Sequence, residues 1–409
     1  MQPISIVVPT YWTWPHGHPR AKDVQTIYDH PTPLDGSGTL PRLLDSLTTI
    51  TEPSFSLVIL TGVAHPDLAE NAASRVDALL APYRDRLKIV HVHNDDLKRI
   101  QARASVLGFG DVPLALAGYG HIRNMQLIIP HLLGSETVVA LDDDEVVAPD
   151  YLAKATTYIG QPAPDGSGPI LGLAGYYLDA NGEKYLQFPD DPSETNPFRR
   201  KYALMNAGIA QIDQRHGRIV HSEMTFGGNM VFARELWQRI SFDPYITRGE
   251  DMDYLINARL KGINWWLDKE AVITHLPPDA NRRASAGAAP WYSKLKEDVY
   301  RFLYERAKLE QADQAPDFVP PSVEELGPYL GGFLGSDDLK MQATLALAAV
   351  WQDRDAEEQA TNPADVVQPL ADRATTQVRR YFHFARRWPD FMAAIGEDAE
   401  LRASFAGKL

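Results

Sequence analysis

Apolar residues recur along the first 140 positions in two alternating rhythms. Residues 4–8 form a hydrophobic run, broken only by Ser5 and containing two valines, that is stopped by Pro9-Thr10 and reads as a buried parallel strand. Residues 55–60, 87–92 and 137–141 repeat that pattern. Between them, residues 40–49, 67–80 and 122–133 carry apolar positions at helical spacing. Strand alternating with helix predicts a mostly parallel sheet sandwiched by helices. Residues 11–41, rich in Pro, Gly, His and aromatics, read as a long loop, a length usually reserved for function.

The pattern changes near residue 280. Residues 281–290 read as a small, polar, Ala/Gly-rich linker, and nearly everything after them reads as helix. Trp291, Leu295, Val299, Phe302 and Leu303 fall on one face, as do Val378, Tyr381, Phe382, Ala385 and Trp388. Proline-rich breaks at 316–321, 363 and 369 separate these segments. The expected division is an α/β unit over 1–280 and an all-helical appendage over 281–409.

Composition narrows the function. With 409 residues, 44% hydrophobic and 23% charged, the chain has ample material for a core. Forty Lys+Arg against 54 Asp+Glu give a formal charge of −14, which disfavours nucleic acid as a general partner. The absence of cysteine excludes disulfides, thiolate metal sites and cysteine nucleophiles. No apolar run is long enough to span a membrane and no signal peptide is evident, so a cytoplasmic protein is expected.

Ligands of such sheets bind beyond the carboxyl ends of the strands. There stand Pro9, Thr10 and Tyr11 after the first strand, and Asp142-Asp143-Asp144 after the fourth. On an extended chain Asp142 and Asp144 point the same way, Asp143 the other, and two converging carboxylates suit a hard divalent cation. A solvated acidic turn or a helix cap is the plainer reading of the same residues. Gly249-Glu250-Asp251 opens a helical stretch, where carboxylates are favoured by the helix dipole in any case. Gly227-Gly228-Asn229 permits close backbone approach to a ligand. His275 ends a short strand and is a candidate ligand, although a lone histidine is as readily structural.

Together these features resemble the GT-A glycosyltransferases, in particular the inverting group called family 2, over roughly residues 3–280. The segment through Pro9, Thr10 and Tyr11 resembles the opening strand and nucleotide-side loop. Arg123-Asn124 resembles the Arg-Asn pair before the metal strand, and Asp142-Asp143-Asp144 stands where the Asp-x-Asp motif would. Gly227-Gly228 with Arg234 resembles the acceptor-side segment, which here includes Asn229. Glu250-Asp251 resembles the helix that carries the catalytic base, and His275 falls where relatives supply a metal ligand. The family's acidic residue after its second strand has no counterpart in Leu60-Thr61-Gly62-Val63.

The resemblance implies a Rossmann-like α/β fold and a sugar transferred from a UDP- or GDP-linked donor to a carbohydrate or small hydroxylated acceptor. It implies Mg²⁺ or Mn²⁺ held by Asp144, His275 and Asp142. Donor contacts would come from Pro9, Thr10, Tyr11, Arg123, Asn124, Asp142 and Asp143, and acceptor contacts from Gly227, Gly228 and Asn229. Asp251 would be the base and Glu250 its partner. Retaining enzymes resembling glucosyl- or mannosyl-3-phosphoglycerate synthases fit the same residues. Asp142-Asp143-Asp144-Glu145-Val146 also matches the nucleophile loop of haloacid-dehalogenase-type phosphatases, and a non-catalytic sugar-binding relative is a further alternative. In the tail, Arg379, Arg380, His383, Arg386 and Arg387 form a basic face. An anionic membrane surface, a phosphorylated acceptor, a homo-oligomer contact and a solvated helix face are all open readings of it.

Overall fold

The computed structural model describes residues 3–26, 28–189, 191–278, 291–351 and 362–409, so the expected linker at 281–290 lies outside the described residues. The strands are β1 (Ile4–Thr13), β2 (Thr32–Pro33), β3 (Phe55–Val63), β4 (Ile89–Val92), β5 (Thr137–Ala140), β6 (Glu145–Val146), β7 (Gly172–Leu178), β8 (Ile219–His221), β9 (Met230–Ala233) and β10 (Trp266–His275). They form one sheet in the order β4-β3-β1-β5-β9-β7-β10-β6, with β2 beside β1 and β8 beside β10. The β4-β3-β1-β5 half is wholly parallel. Antiparallel β9 then joins β5 to β7, and β10 runs parallel to β7.

Helices cover both faces. They are α1 (Leu40–Leu47), α2 (Ala69–Leu80), α3 (Asn94–Val106), α4 (Tyr119–Leu133), α5 (Tyr151–Thr156), α6 (Lys201–Asp213), α7 (Arg234–Arg239) and α8 (Glu250–Arg259). The C-terminal helices are α9 (Trp291–Ala312), α10 (Gly327–Leu334), α11 (Leu339–Ala349), α12 (Pro363–Glu397) and α13 (Ala399–Ala406). This is the α/β architecture that the GT-A resemblance implies, followed by the helices that the periodicity after residue 280 predicts.

The two-residue period of the strands sorts side chains into two cores. Ile4, Ile6, Val8, Leu57, Ile59 and Val139 join one core with α1, α2 and α5. Val7, Val58, Leu60, Val138 and Ala140 face the other, with α3, α4 and α8. Helices α9 to α13 share that second core: Phe302, Phe333, Val378 and Trp388 belong to it. The Trp388 indole donates to the Trp237 carbonyl at 2.7 Å, tying α12 to α7.

Several elements depart from the sequence expectations. Strand β1 runs through Pro9 instead of stopping there. Pairing with β5 ends at Val7, and Pro9 turns to that vacated side, so its missing N–H breaks no ladder bond. The short strand expected to end at His275 is a ten-residue strand, β10, with a register shift between Leu267 and Val272. Helix α3, absent from the sequence reading, has few apolar positions, and its start is secured by Asp96 accepting the His93 N–H at 3.1 Å. Trp12 and Trp14, from the segment expected as a long loop, are packed inside.

Candidate active site

A cavity of about 390 Å³ opens beyond the carboxyl ends of β1 and β5. Tyr11, Arg123, Asp142, Asp143, Asp144, Gly227, Glu250, Asp251 and His275 all line it, so residues from six separate segments converge. The remaining wall comes from residues the sequence did not single out. Among them are Tyr177, Lys201, Arg248 and, from the C-terminal helices, Arg301 and Tyr329.

The three aspartates lie in the turn after β5, where strand alternation no longer applies, and all three border the cavity. Each has a different partner. Asp142 pairs with Arg123 at 2.9 Å. Asp143 accepts from Thr10 Oγ1 at 2.6 Å and Thr39 Oγ1 at 3.4 Å. Asp144 Oδ2 lies 3.2 Å from His275 Nε2. That last meeting is made by the sheet, because β6 pairs antiparallel with β10 and sets Glu145 opposite His275.

Burial, with Arg123 opposing it, raises the Asp142 pKa. Burial and then the Asp144 charge push Asp143 up to about 8. Burial would raise Asp144 as well, but the hydrogen bond and charge of His275 outweigh it and hold that carboxyl below the usual range. Of the three, Asp144 is therefore the carboxylate most firmly ionised. Buried Glu145 accepts the Asp142 N–H at 2.9 Å, and burial drives its own pKa well up.

Asp144 and His275 fit a divalent ion as an oxygen and a nitrogen ligand close enough to share it. Among the described residues no group of three or more acidic or histidine side chains could hold a metal. Asp142, expected as the third ligand, does not join them in such a group: it faces Arg123 at 2.9 Å while still bordering the cavity. A two-ligand site suits an ion whose other positions are filled by phosphate and water.

The opposite wall is the start of α8. Gly249 precedes it at φ +69°, and a Cβ there would fall 2.1 Å from the Arg301 guanidinium carbon. Gly249→Ala is therefore expected to displace Arg301 and lower the melting temperature, with a backbone cost of about 1–2 kcal/mol on its own. An unchanged melting temperature in a fluorimetric scan would refute this. Glu250 is buried and accepts from Arg123 Nε at 3.0 Å; burial raises its pKa while Arg123 opposes the rise. One guanidinium thus ties the Asp142 turn to the α8 acids. Asp251 Oδ1 accepts the Met252 N–H at 2.8 Å and borders the cavity.

Several of the other expected contact residues do not line the cavity. The Asn124 side chain is buried and bonded both ways to the Phe242 backbone, at 3.0 and 2.9 Å, and does not border the cavity. Asn229 is fully buried, donates to the Tyr176 and Ala271 carbonyls, and accepts from Tyr151 Oη. It bonds β7 to β10 and does not border the cavity. Gly228 leaves room for Glu145, whose Oε1 a Cβ would meet at 1.8 Å. Pro9 lies within β1 and Thr10 acts through Asp143, so neither lines the cavity.

The basic face of α12 is partly spent. Arg386 pairs with Asp317 at 2.8 Å, and Arg387 pairs with Asp111 at 3.3 Å. Among the described residues no helix is long and apolar enough to cross a membrane.

No family model matches the sequence. No curated protein matches it either. Among solved structures, the chain is similar to the mannosyltransferase PcManGT from Pyrobaculum calidifontis in complex with GDP-Man and Mn²⁺. Identity is 15%, TM-score 0.47, with 99% of this chain and 87% of that one covered. It is similar to GalNAc-T7 with UDP, GalNAc and Mn²⁺ at 13% identity and TM-score 0.39, covering 86% and 58%. A third is glucosyl-3-phosphoglycerate synthase from Mycobacterium tuberculosis with Mg²⁺ and UDP, at 14% identity and TM-score 0.34, covering 72% and 79%.

Proposed function

We propose that this chain is a divalent-metal-dependent glycosyltransferase that moves a sugar from a nucleoside-diphosphate donor to an acceptor hydroxyl, with inversion. The observation that carries this reading is the arrangement around Arg123. Its guanidinium holds Asp142 on the strand-end wall and Glu250 on the helix wall. The Asp144–His275 pair and Asp251 consequently border one cavity.

Mg²⁺ or Mn²⁺ bound by Asp144 and His275 would stabilise the charge that develops on a departing diphosphate. The protein's own residues supply the rest. Tyr11 and Arg123 line the strand-end wall, where the donor's nucleotide side would lie. Gly227 leaves room for the Arg123 guanidinium beside Asp251: a Cβ there would sit 2.7 Å from Arg123 Nη2 and 3.6 Å from Asp251 Cβ. Asp251 would take the proton of the attacking hydroxyl, which enters from the face opposite the leaving diphosphate. Glu250, fixed by Arg123, orients the turn that presents Asp251. A UDP- or GDP-linked donor and a small hydroxylated or carbohydrate acceptor suit a cavity of this size.

Asp144→Ala is expected to abolish the metal-dependent part of sugar-nucleotide binding. Thermal shift with UDP- and GDP-sugars, with and without Mn²⁺, reads this directly. Stabilisation by one nucleotide only in the presence of metal, lost in the variant, supports the reading. Retention of metal-dependent binding in Asp144→Ala would sink the metal role.

A further inference from the structure

We propose that the α9 side of this cavity is a subsite for an anionic group, phosphate or carboxylate, on the acceptor, with Arg301 as its principal ligand. Naming the ligand as the acceptor rests on the glycosyltransferase reading above; the anion site itself does not.

Arg301 is only 3% exposed, yet it borders the cavity. Its Nε donates to Glu305 at 2.9 Å and its Nη1 to the Tyr329 hydroxyl at 3.3 Å. Its Nη2 is buried with no hydrogen-bond partner. A guanidinium left with unmet donors in a buried position is costly, and native structures rarely tolerate it without a role. An oxyanion entering the cavity is the natural acceptor for those N–H groups, in the forked geometry arginine favours.

Two more cations line the same cavity. Lys201 and Arg248 both reach Asp298, at 2.8 and 3.4 Å, and Asp298 stands one helical turn before Arg301 on α9. Arg248 is also paired with Asp29 at 3.0 Å. These partners preorganise the cations so that little side-chain entropy is lost on binding. Glu305, which answers one Arg301 N–H, has its pKa pushed up to about 7 by burial, so it opposes an incoming anion less than a fully ionised carboxylate would.

The position suits an acceptor. Asp251 borders the same cavity and lies close enough to act electrostatically on both Arg301 and Tyr329. An acceptor anchored through its anionic end at Arg301 would have its hydroxyl held near Asp251, away from the acidic strand-end wall. The α9 helix thereby selects small hydroxylated compounds bearing a phosphate or carboxylate over neutral sugars.

Calorimetric titration of the full chain with inorganic phosphate, and separately with acetate, in EDTA tests this without any metal to draw anions to Asp144. One saturable site for at least one anion is expected, weakened about tenfold or more in Arg301→Met. Lys201→Met, at the more exposed rim, is expected to weaken it several-fold and serves should Arg301→Met fail to fold. Arg386→Met removes the same charge outside the cavity and should leave binding intact. Silence with both anions, an isotherm indifferent to Arg301 and Lys201, or equal loss in Arg386→Met would overturn the site. Adding Mn²⁺ with UDP or GDP should leave the anion isotherm in place. Competition would move the site to the donor and overturn the acceptor assignment. Failure of nucleotide binding alone would instead count against the glycosyltransferase reading.

Discussion

Asp251→Asn is expected to lower turnover by about 10²–10⁴-fold while sugar-nucleotide binding persists. The substitution is close to isosteric. The amide oxygen can still accept the Met252 N–H that Asp251 Oδ1 accepts at 2.8 Å, so the start of α8 keeps its shape. What the amide cannot do is receive a proton. Steady-state transfer assays beside a nucleotide-binding titration separate the two effects. Turnover equal to the parent enzyme would remove Asp251 from the role of base.

The second large effect concerns stability. Lys308→Met is expected to cost about 3–5 kcal/mol, read as a lower denaturation midpoint in urea. Lys308 is wholly buried on α9, with Asp243 at 2.7 Å, Asp253 at 2.5 Å and Asn257 Oδ1 at 3.0 Å, and both carboxylates are equally buried. Burial alone would depress the lysine pKa, but Asp243 and Asp253 outweigh it and hold the ammonium charged. Removing the ammonium leaves two carboxylates in the core with no cation between them. Changing all three, with Asp243→Asn and Asp253→Asn added, should recover much of the loss, since no uncompensated charge is then left. A midpoint unmoved by Lys308→Met would show that the network does not brace α8.

The second experiment bears on a wider feature: the helices from residue 291 onward are built into the site. Arg301 and Lys308 stand seven residues apart, two turns of α9, and both act on α8, Arg301 against Gly249 and Lys308 on Asp253. The sequence marked these positions only as members of a helical tail. A lysine or arginine four residues from a glutamate on a helix reads as a solvent-exposed pair, and nothing local says that it is buried.

The strand-end aspartates, the Glu250-Asp251 helix start and His275 were legible as candidates, because their chemistry is written in residue type and in position relative to predicted strands. Asn124 and Asn229 were legible too, but the structure sets both off the cavity. A buried amide that bonds backbone across two elements has the same sequence signature as one that bonds a ligand. The helix α3 and the strands β7 and β8 went unseen, being short or poor in apolar periodicity.

By itself the sequence determined the alternation of strand and helix and the two-faced core, since these follow from periods of 2 and 3.6 residues. It also determined which acids follow which strand. Tertiary structure decided which of them cooperate. Asp144 meets His275 across 131 residues because β6 and β10 pair antiparallel, and Arg123 pairs with both Asp142 and Glu250. Ligand sets and charge partners depend on through-space distances of a few ångströms, and no local pattern of residues encodes those.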